Sequence, residues 1–261
     1  AFIGLTIFIS VIVWSFAIIR RRLKYEQWYW VHFCMYAAIA LVFLHQLQGG
    51  DFHDHRVVAY WWTLMILATM IIALWRFARP LWYFFYHRFR IESITPETPD
   101  SVSVRISGRH LDRFRFIAGQ HAGLRFFNSY WWQSHPFSFS QAYNGTEIRF
   151  SIKGIGDFTK LIPTFKIGTY VMLDGPLGQF ILAERKADKL LFIAGGSGIT
   201  PLRAMMEAWA QQGKSSILLY ANKTSVDIML KKEVDQFTAD GKAQVIHVLG
   251  NKETGNVQGY I

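Results

Sequence analysis

The segment from Trp28 to Gln48 constrains the fold of this chain more than any other part of the sequence. It contains about 21 residues, most of them apolar or aromatic. A helix rises about 1.5 Å per residue, so one of this length crosses a hydrocarbon core of about 30 Å. The sequence therefore predicts a transmembrane helix over residues 28–48.

Two histidines, His32 and His45, lie near opposite ends of this segment. An ionisable side chain at membrane depth is costly, so each histidine needs a partner. That partner is either a neighbouring helix that accepts a hydrogen bond or a haem iron, for which neutral imidazole is a standard axial ligand. The two residues are 13 positions apart, which separates them by about 20 Å along a helix and about 140° around it. Two haems fit that separation if they approach the helix from different sides. The segment alone does not decide between haem ligation and a hydrogen bond to a neighbouring helix.

Two more apolar segments flank this one, and they predict further transmembrane helices at about residues 1–19 and 57–75. The chain has a formal net charge of +10, but its basic residues cluster just after the first and third segments, at 20–24 and 76–90. The positive-inside rule accounts for this placement without nucleic acid. We therefore expect a multi-pass protein of the cell membrane whose remaining domains are cytoplasmic.

The polar segment between the second and third spans carries His53 and His55. These histidines are either metal ligands or solvated loop side chains, and the second interpretation is the simpler one. The chain has one cysteine, Cys34, which excludes an internal disulfide framework and a cysteine-ligated zinc or iron–sulfur centre.

Beyond residue 87 the pattern changes to short segments of alternating polarity separated by glycine and proline. Alternation with period 2 at close spacing predicts a small antiparallel β-barrel of about six strands over residues 88–184. The segments that carry the alternation are RIESIT, SVSVRISG, FRFIAGQHAGLRFF, TEIRFSIK and TYVMLDG.

Two motifs lie within the predicted barrel, namely the tetrapeptide HPFS at 135–138 and the glycine-rich run KGIGDFT at 153–159. The second motif combines a cation, glycines that allow close backbone approach and a threonine at a predicted helix start. That combination suits a phosphate group. A glycine-rich turn before a helix is also commonly only a turn, so the motif alone does not decide.

Residues 185–261 show a βαβαβ pattern, with strands at 189–194, 216–222 and 243–249. We predict one helix ending at about residue 212 and another over 226–237. The first strand-to-helix turn reads GGSGITP, and such a turn places dinucleotide phosphates at a helix N-terminus. Lys223, just past the second strand, is either a ligand of an adenosine 2′-phosphate or a solvated loop lysine.

Taken together and in this order, the histidine pair and the motifs HPFS, IKGIGDFT, GPLG and GGSGITP resemble the transmembrane flavocytochromes of the NADPH oxidase and ferric reductase type. The resemblance covers the whole chain, and its short loops are similar to those of a prokaryotic member. It implies a multidomain membrane protein with an α-helical haem-binding transmembrane region at 1–87. A ferredoxin-reductase-like antiparallel β-barrel that binds FAD (88–184) and an α/β Rossmann-like nucleotide domain (185–261) would follow.

The same resemblance implies a role for each motif residue. The residues expected along the flavin are His135, Pro136, Phe137 and Ser138, with Ser138 near the reactive N5 atom. Those expected to hold the FAD pyrophosphate are Lys153, Gly156, Phe158 and Thr159. Those expected to bind NADPH or NADH are Gly195, Gly196, Ser197, Gly198, Thr200 and Pro201, with Pro201 near the nicotinamide. His32 would ligate an inner haem b and His45 an outer one.

The implied function is transmembrane electron transfer from NAD(P)H through FAD and two b-type haems to extracytoplasmic O2, giving superoxide. A hydride donor gives two electrons at once and haem iron takes one, so a flavin between them is required. Two alternatives are a ferric-chelate reductase with the same electron path and a non-catalytic membrane-anchored module. Neither nucleic acid nor an obligate protein partner is implied.

Two features depart from the family pattern. The family has about six membrane helices, with a second histidine pair on an earlier helix, whereas three spans are predicted here. The expected Cys-Gly segment and the terminal aromatic residue that covers the flavin are also missing. We therefore expect the sequence to be a piece of a longer protein, shortened at both ends.

Overall fold

The structure is a computed structural model that describes residues 2–15, 31–39, 41–42, 54–182 and 189–250. The chain divides into two compact units, with the division between Ile71 and Ile72.

The N-terminal unit is helical where it is described. Helix α1 spans Phe2–Ser15, residues 31–39 and 41–42 are helical, and helix α2 spans His55–Ala73. Gly4 of α1 allows close helix packing, since a Cβ there would lie 3.0 Å from Val42 Cγ2. The described parts of all three predicted spans are helical, in agreement with the sequence analysis.

One helix in the described residues is long and apolar enough to cross a membrane, judged by length and composition. It covers the 33 residues His55–His87, and its most apolar stretch has a mean hydropathy of 2.1 with no residue buried. It contains α2, a π-helical segment at Leu74–Ala78 and helix α3 at Arg79–His87.

The helix thus continues about 12 residues beyond Trp75, the predicted end of the third span. The π-helical turn precedes Pro80, which lies in the first turn of α3, where its missing N–H is tolerated. The helix ends instead at Arg88, whose φ of 49° is left-handed.

The second unit begins with a six-stranded antiparallel barrel, which confirms the predicted fold of this region. Its strands are β1 (Arg90–Thr98), β2 (Ser101–Ser107), β3 (His121–Phe126), β4 (His135–Ser138), β5 (Ile148–Lys153) and β6 (Val171–Leu177). They form two sheets with the orders β1-β2-β5 and β4-β3-β6. Bridges at Arg90–Tyr170 and Phe139–Phe150 connect the sheets around a shared apolar core. A short helix, α4 (Asp157–Leu161), follows β5.

Two details of the barrel differ from the sequence prediction. The segment 114–127 was expected to be extended throughout, but only its residues His121–Phe126 form a strand, β3. A 3₁₀ turn at Leu111–Arg113 precedes the segment, and the chain continues as bends and turns until β3 begins. The HPFS segment, expected only as a motif, is itself strand β4.

The barrel is followed by a parallel sheet with the order β7-β8-β9, which confirms the predicted βαβαβ arrangement. The strands are β7 (Lys189–Gly195), β8 (Ser215–Asn222) and β9 (Ala243–Leu249). Helix α5 (Ile199–Ala210) joins the first two strands, and helix α6 (Lys231–Ala239) joins the last two.

The predicted helix at 226–237 begins later than expected. A 3₁₀ turn at Ser225–Asp227, closed by the Thr224 hydroxyl on the Asp227 carboxylate at 2.8 Å, comes first. Leu230, with a left-handed φ of 55°, then separates this turn from α6. Because residues 228–230 are buried, the apolar run that resembled a helix face instead inserts into the core.

Candidate functional site

A cleft of about 400 Å³ lies between the barrel and the parallel sheet, and we call it the interdomain cleft. Three sequence motifs that are far apart in the chain meet in it. Its lining residues are Pro136, Phe137, Ser138, Ser151, Ile152, Lys153, Ile155, Gly156, Thr159, Ser197, Gly198, Thr200 and Pro201. The fold therefore brings together most of the site residues predicted in this part of the chain.

Strand β4 supplies one wall of the cleft. It pairs with β3 alone, with Ser138 opposite His121. An edge strand accommodates Pro136, because the N–H that proline lacks is not needed for a second neighbour. The resulting alternation turns Phe139 into the barrel core, while Ser138 and Phe137 contribute to the cleft.

His135 and Phe158, two further predicted flavin residues, stack on each other rather than line the cleft. Their ring centroids are 3.8 Å apart with an interplanar angle of 16°, and His135 Nε2 lies 3.0 Å from Gln133 Oε1. Burial lowers the pKa of His135 below its ordinary value. A neutral imidazole packed on a phenyl ring links β4 to the first turn of α4, so the pair can set the position of both motifs.

The segment 153–159, which consists of a turn and the start of α4, also lines the interdomain cleft on the barrel side. Lys153 Nζ lies 3.3 Å from Asp100 Oδ2, and the Gly154 N–H donates to the Asp100 carbonyl at 2.6 Å. The Thr159 hydroxyl accepts from the Gly156 N–H at 2.9 Å. These contacts stabilise the turn. They place the ammonium group of Lys153 at the start of the glycine-rich segment.

The glycine loop between β7 and α5 forms the wall from the nucleotide domain. Gly196 has a left-handed φ of +50°, which favours glycine. A Cβ added at Gly195, Gly196 or Gly198 would meet no atom within 4 Å, so this side of the loop is open. The open side of a glycine loop is where a phosphate group can approach the backbone closely.

Two hydroxyl groups hold this loop from its other side. The Thr200 hydroxyl donates to the Ser197 carbonyl at 2.8 Å and lies 3.3 Å from the Ser151 carbonyl of β5. The buried Tyr220 hydroxyl lies 3.1 Å from the Gly196 carbonyl and 3.2 Å from the Met229 carbonyl. Burial raises the pKa of Tyr220 to about 12, so this hydroxyl stays protonated as a donor.

Lys223 does not line the interdomain cleft. It is exposed and follows β8, whose residue Ala221 pairs with Gly195 of β7. Lys223 thus lies beyond the same carboxyl-terminal edge of the sheet as the glycine loop. This position is compatible with either of the two roles predicted from the sequence.

A buried ionic cluster joins the two domains, and sequence reasoning missed it. Arg149 of β5, with a side chain only 3% exposed, donates to both carboxylate oxygens of Glu233 on α6. Arg203 of α5 also contacts Glu233, at 2.8 Å, and Glu207 accepts from the Ala142 N–H at 2.6 Å. The sequence could have indicated this cluster, because the mostly apolar strand IRFSIK contains an arginine. A charged side chain that is buried with such a strand needs a charged partner.

The membrane part of the prediction is described only in part. His32 is half-buried in the helix at 31–39, and His45 lies outside the described residues. His53 also lies outside them, whereas His55 begins α2. No group of three or more histidine, cysteine or acidic side chains that could hold a metal occurs in the described residues. Haem ligation by His32 and His45 stays a prediction.

Two protein-family models match the second unit. Residues 86–179 match a FAD-binding domain, and residues 192–261 match an oxidoreductase NAD-binding domain. The fold, the cleft and these matches define a FAD-binding domain followed by a nicotinamide-nucleotide-binding domain of the type found in oxidoreductases. Both models begin after residue 85, so the predicted haem region lies outside the part that they match.

The fold is that of a ferredoxin-reductase-like pair of FAD- and NAD-binding domains, and individual curated relatives match parts of the chain. An NADPH oxidoreductase of Mycobacterium tuberculosis is 28% identical over 189 residues, covering 69% of this chain and 50% of the relative. NADH-cytochrome b5 reductase 1 of Cryptococcus neoformans is 34% identical over 105 residues, covering 38% and 36% respectively. The chain thus spans half or less of the length of these curated relatives.

A solved structure shows the same fold. The flavohem-like FAD/NAD-binding domain of nitric oxide dioxygenase from Vibrio cholerae superposes with a TM-score of 0.55 at 23% identity. The match covers 67% of this chain and 81% of that domain.

Proposed function

We propose that this chain oxidises NAD(P)H in the interdomain cleft, passes the hydride to FAD, and sends single electrons onward through two b-type haems across the cell membrane. The observation that carries the proposal is the cleft itself, where HPFS, the KGIGDFT turn and the GGSGITP loop face one another. A donor held by one domain and an acceptor held by the other would meet there.

The residues of the barrel side fit a flavin nucleotide. Phe137 offers an aromatic surface, and Ser138 offers a hydroxyl that can hydrogen-bond N5 of the flavin. Lys153, Gly156 and Thr159 would hold the pyrophosphate, with Phe158 and His135 supporting them by stacking. Bound FAD accepts two electrons together and releases them singly.

The residues of the nucleotide domain fit a dinucleotide. The open side of Gly195, Gly196 and Gly198 would accept phosphates, and Pro201 would lie near the nicotinamide. Thr200 is engaged with backbone carbonyls, so its role in the proposal is to fix the loop against the barrel. Lys223 would contact the 2′-phosphate that distinguishes NADPH from NADH.

Replacement of Ser138 by alanine tests the flavin part of the proposal. With the full chain loaded with FAD, NADPH-dependent reduction of ferricyanide should fall about tenfold in kcat, because a hydrogen bond at the reacting atom is lost. Ser129→Ala in an exposed loop is the control. An unchanged kcat in Ser138→Ala would remove Ser138 from the proposed chemistry.

The transmembrane path rests on the apolar helix His55–His87 and on the spacing of His32 and His45. In this part of the proposal, the reductase domains are cytoplasmic and the final acceptor is extracytoplasmic O2. Bis-histidine haem has no open iron position, which suits electron relay. In the purified full-length protein, the double replacement His32→Ala and His45→Ala should abolish haem absorbance, whereas the exposed-loop control His110→Ala should retain it.

The final acceptor has a direct test. If O2 accepts the electrons, superoxide dismutase will suppress NADPH-dependent reduction of cytochrome c. A rate that the dismutase leaves unchanged, together with reduction of a ferric chelate, would replace superoxide production by ferric reduction as the function.

A second candidate is a reductase that delivers its electrons to a separate protein. The similarity to a NADH-cytochrome b5 reductase favours it, because that relative is named for a protein acceptor. Full-length protein, including the helix expected to carry the second histidine pair, that lacks haem but still reduces ferricyanide with NAD(P)H would support this candidate over the transmembrane path.

A further inference from the structure

A second cavity, of about 230 Å³, lies on the far side of the barrel wall from its core, and we call it the basic pocket. Helix residues 76–81 cover the outer face of the sheet β4-β3-β6 at this point. The lining residues are Arg76, Phe77, Pro80, Leu81, Gly123, Arg125, Ser134, Met172 and Asp174. None of them belongs to the interdomain cleft.

The basic pocket is held open by specific contacts. Arg76 Nη1 lies 2.7 Å from Asp174 Oδ2, and Arg79 Nη2 donates to the Gly175 carbonyl at 3.2 Å, so the helix is fixed to β6 at two points. Gly123 provides the space beneath. A Cβ there would lie 2.9 Å from Ser134 Oγ, so a larger residue would collide with that hydroxyl.

The charges in the basic pocket do not balance. It contains the guanidinium groups of Arg76 and Arg125 against the single carboxylate of Asp174, which Arg76 already engages. The guanidinium group of Arg125 makes no hydrogen bond or ion pair with any residue in the described part of the chain, whereas its backbone belongs to the β3–β6 ladder. A half-buried guanidinium with five donors and the nearby Ser134 hydroxyl suit a phosphate or carboxylate.

The other wall of the basic pocket is apolar and continues onto an exposed hydrophobic surface. Phe77 is 70% exposed and Leu81 is 48% exposed, and both line the pocket. Further exposed aromatic residues flank them, namely Trp75, Trp82 and Phe85 on the helix and Trp131 and Trp132 in the loop that ends at Ser134. Arginine and aromatic side chains together are typical of a membrane–water interface.

We infer that the basic pocket binds the phosphate group of an anionic phospholipid. Arg125 and Ser134 supply the donors for the phosphate, and Phe77 and Leu81 supply the surface for the first part of the acyl chains. The inference rests on the proposed membrane attachment, because residues within the segment 76–81 of the helix His55–His87, which is long enough to span a bilayer, line the pocket.

The basic pocket and the interdomain cleft share one strand ladder. Gly123 lines the pocket and pairs with Pro136, which lines the cleft. Ser134 immediately precedes His135, the first residue of β4. A lipid in the pocket therefore supports the strand that carries the proposed flavin residues.

The test measures lipid binding to the full chain in detergent, with FAD present. The probe is a short-chain phosphatidylglycerol, and the comparison ligands are the matching phosphatidylcholine and inorganic phosphate. We expect phosphatidylglycerol to raise the thermal unfolding midpoint saturably, and Arg125→Gln to weaken its apparent Kd about tenfold, because a charge-assisted hydrogen bond is lost. Arg125→Lys should recover part of the affinity. Arg115→Gln, at an exposed position of the same domain, is the matched control.

Three results would overturn the inference: equal binding of phosphatidylcholine, equal binding of inorganic phosphate alone, or an unchanged Kd in Arg125→Gln. NADPH–ferricyanide activity, measured on the same samples, keeps this test separate from the proposed function. Intact activity without lipid selectivity rejects the lipid pocket alone, whereas absent activity in the unaltered chain rejects the proposed reductase function.

Discussion

The Thr200 hydroxyl at the start of α5 lies 3.3 Å from the carbonyl oxygen of Ser151 in β5. This contact joins the glycine loop of one domain to a barrel strand of the other at the edge of the interdomain cleft. It fixes how far the loop stands from the barrel wall. The distance available to a nicotinamide and a flavin therefore depends on a hydroxyl that faces both domains.

Replacement of Thr200 by valine should weaken nucleotide binding. Valine keeps the shape of the side chain but cannot donate to Ser197 or Ser151, and a lost hydrogen bond of about 1 kcal/mol corresponds to a KM for NADPH raised about fivefold. Steady-state kinetics with ferricyanide measure this change. Thr164→Val is the control, because the Thr164 hydroxyl donates to the Leu161 carbonyl within its own turn. An equal effect in both variants would argue against a specific role of Thr200.

Replacement of Arg149 by leucine should destabilise the second unit strongly. The change leaves Glu233 without its main partner, and breaking a buried ion pair costs about 3 kcal/mol or more in the free energy of unfolding. Urea denaturation followed by tryptophan fluorescence measures it. Lys242→Met, which removes an exposed pair with Asp240, should cost much less stability because solvent screens that pair. Similar losses in the two variants would contradict the importance of the buried cluster.

The same cluster predicts how stability changes with pH. Burial alone would raise the pKa of Glu233, but hydrogen bonding from Arg149 and the charges of Arg203 and Arg149 outweigh it and lower the pKa below its ordinary value. The stability from ionised Glu233 is therefore present above the unfolded-state pKa of about 4.3 and is lost as the pH falls through the lower folded-state value.

Urea midpoints between neutral pH and pH 3 measure this effect. Glu233→Gln should have lower stability at neutral pH and a weaker loss on acidification than the unaltered chain. If the two acid profiles are parallel, the titration of Glu233 contributes nothing to the pH dependence.

Replacement of Tyr220 by phenylalanine tests the support beneath the glycine loop. The change removes a donor shared by the Gly196 and Met229 carbonyls, and the free energy of unfolding should fall by about 1 kcal/mol. Because loop geometry changes too, the KM for NADPH should rise while ferricyanide reduction at saturating NADPH stays within about twofold. A lower stability with an unchanged KM would show that Tyr220 acts on the core alone.

Replacement of Lys223 by alanine separates the two roles predicted for this residue. If its ammonium group contacts a 2′-phosphate, the KM for NADPH should rise about tenfold and the KM for NADH should not change. Lys214→Ala, on a different edge of the domain, is the control. Equal kinetics with both nucleotides would identify Lys223 as a solvated lysine.

Sequence patterns predicted the barrel and the parallel sheet because alternation and buried apolar runs are local signals. They failed where local and tertiary signals disagree. The segment HPFS was predicted only as a motif, yet it forms β4, an edge strand in which Pro136 is tolerated. The apolar residues 228–230 fitted a helix face, but the left-handed Leu230 turns them into the core.

The candidate site divides in the same way. Its glycine and hydroxyl residues lie in short motifs, so the sequence predicted most of the cleft lining. The pairing of Arg149 with Glu233 joins positions on two domains, and no local pattern encodes such a pair. The basic pocket was missed for the same reason, because Arg76 and Arg125 become neighbours only after the helix packs on β3 and β6.

Anaerobic mixing of the FAD-loaded full chain with NADPH tests the central claim most directly, since the claim is that one cleft brings nucleotide and flavin together. The account predicts rapid bleaching of the flavin absorbance in the unaltered chain and slower bleaching in Thr200→Val. Flavin that stays oxidised while NADPH is demonstrably bound would contradict it.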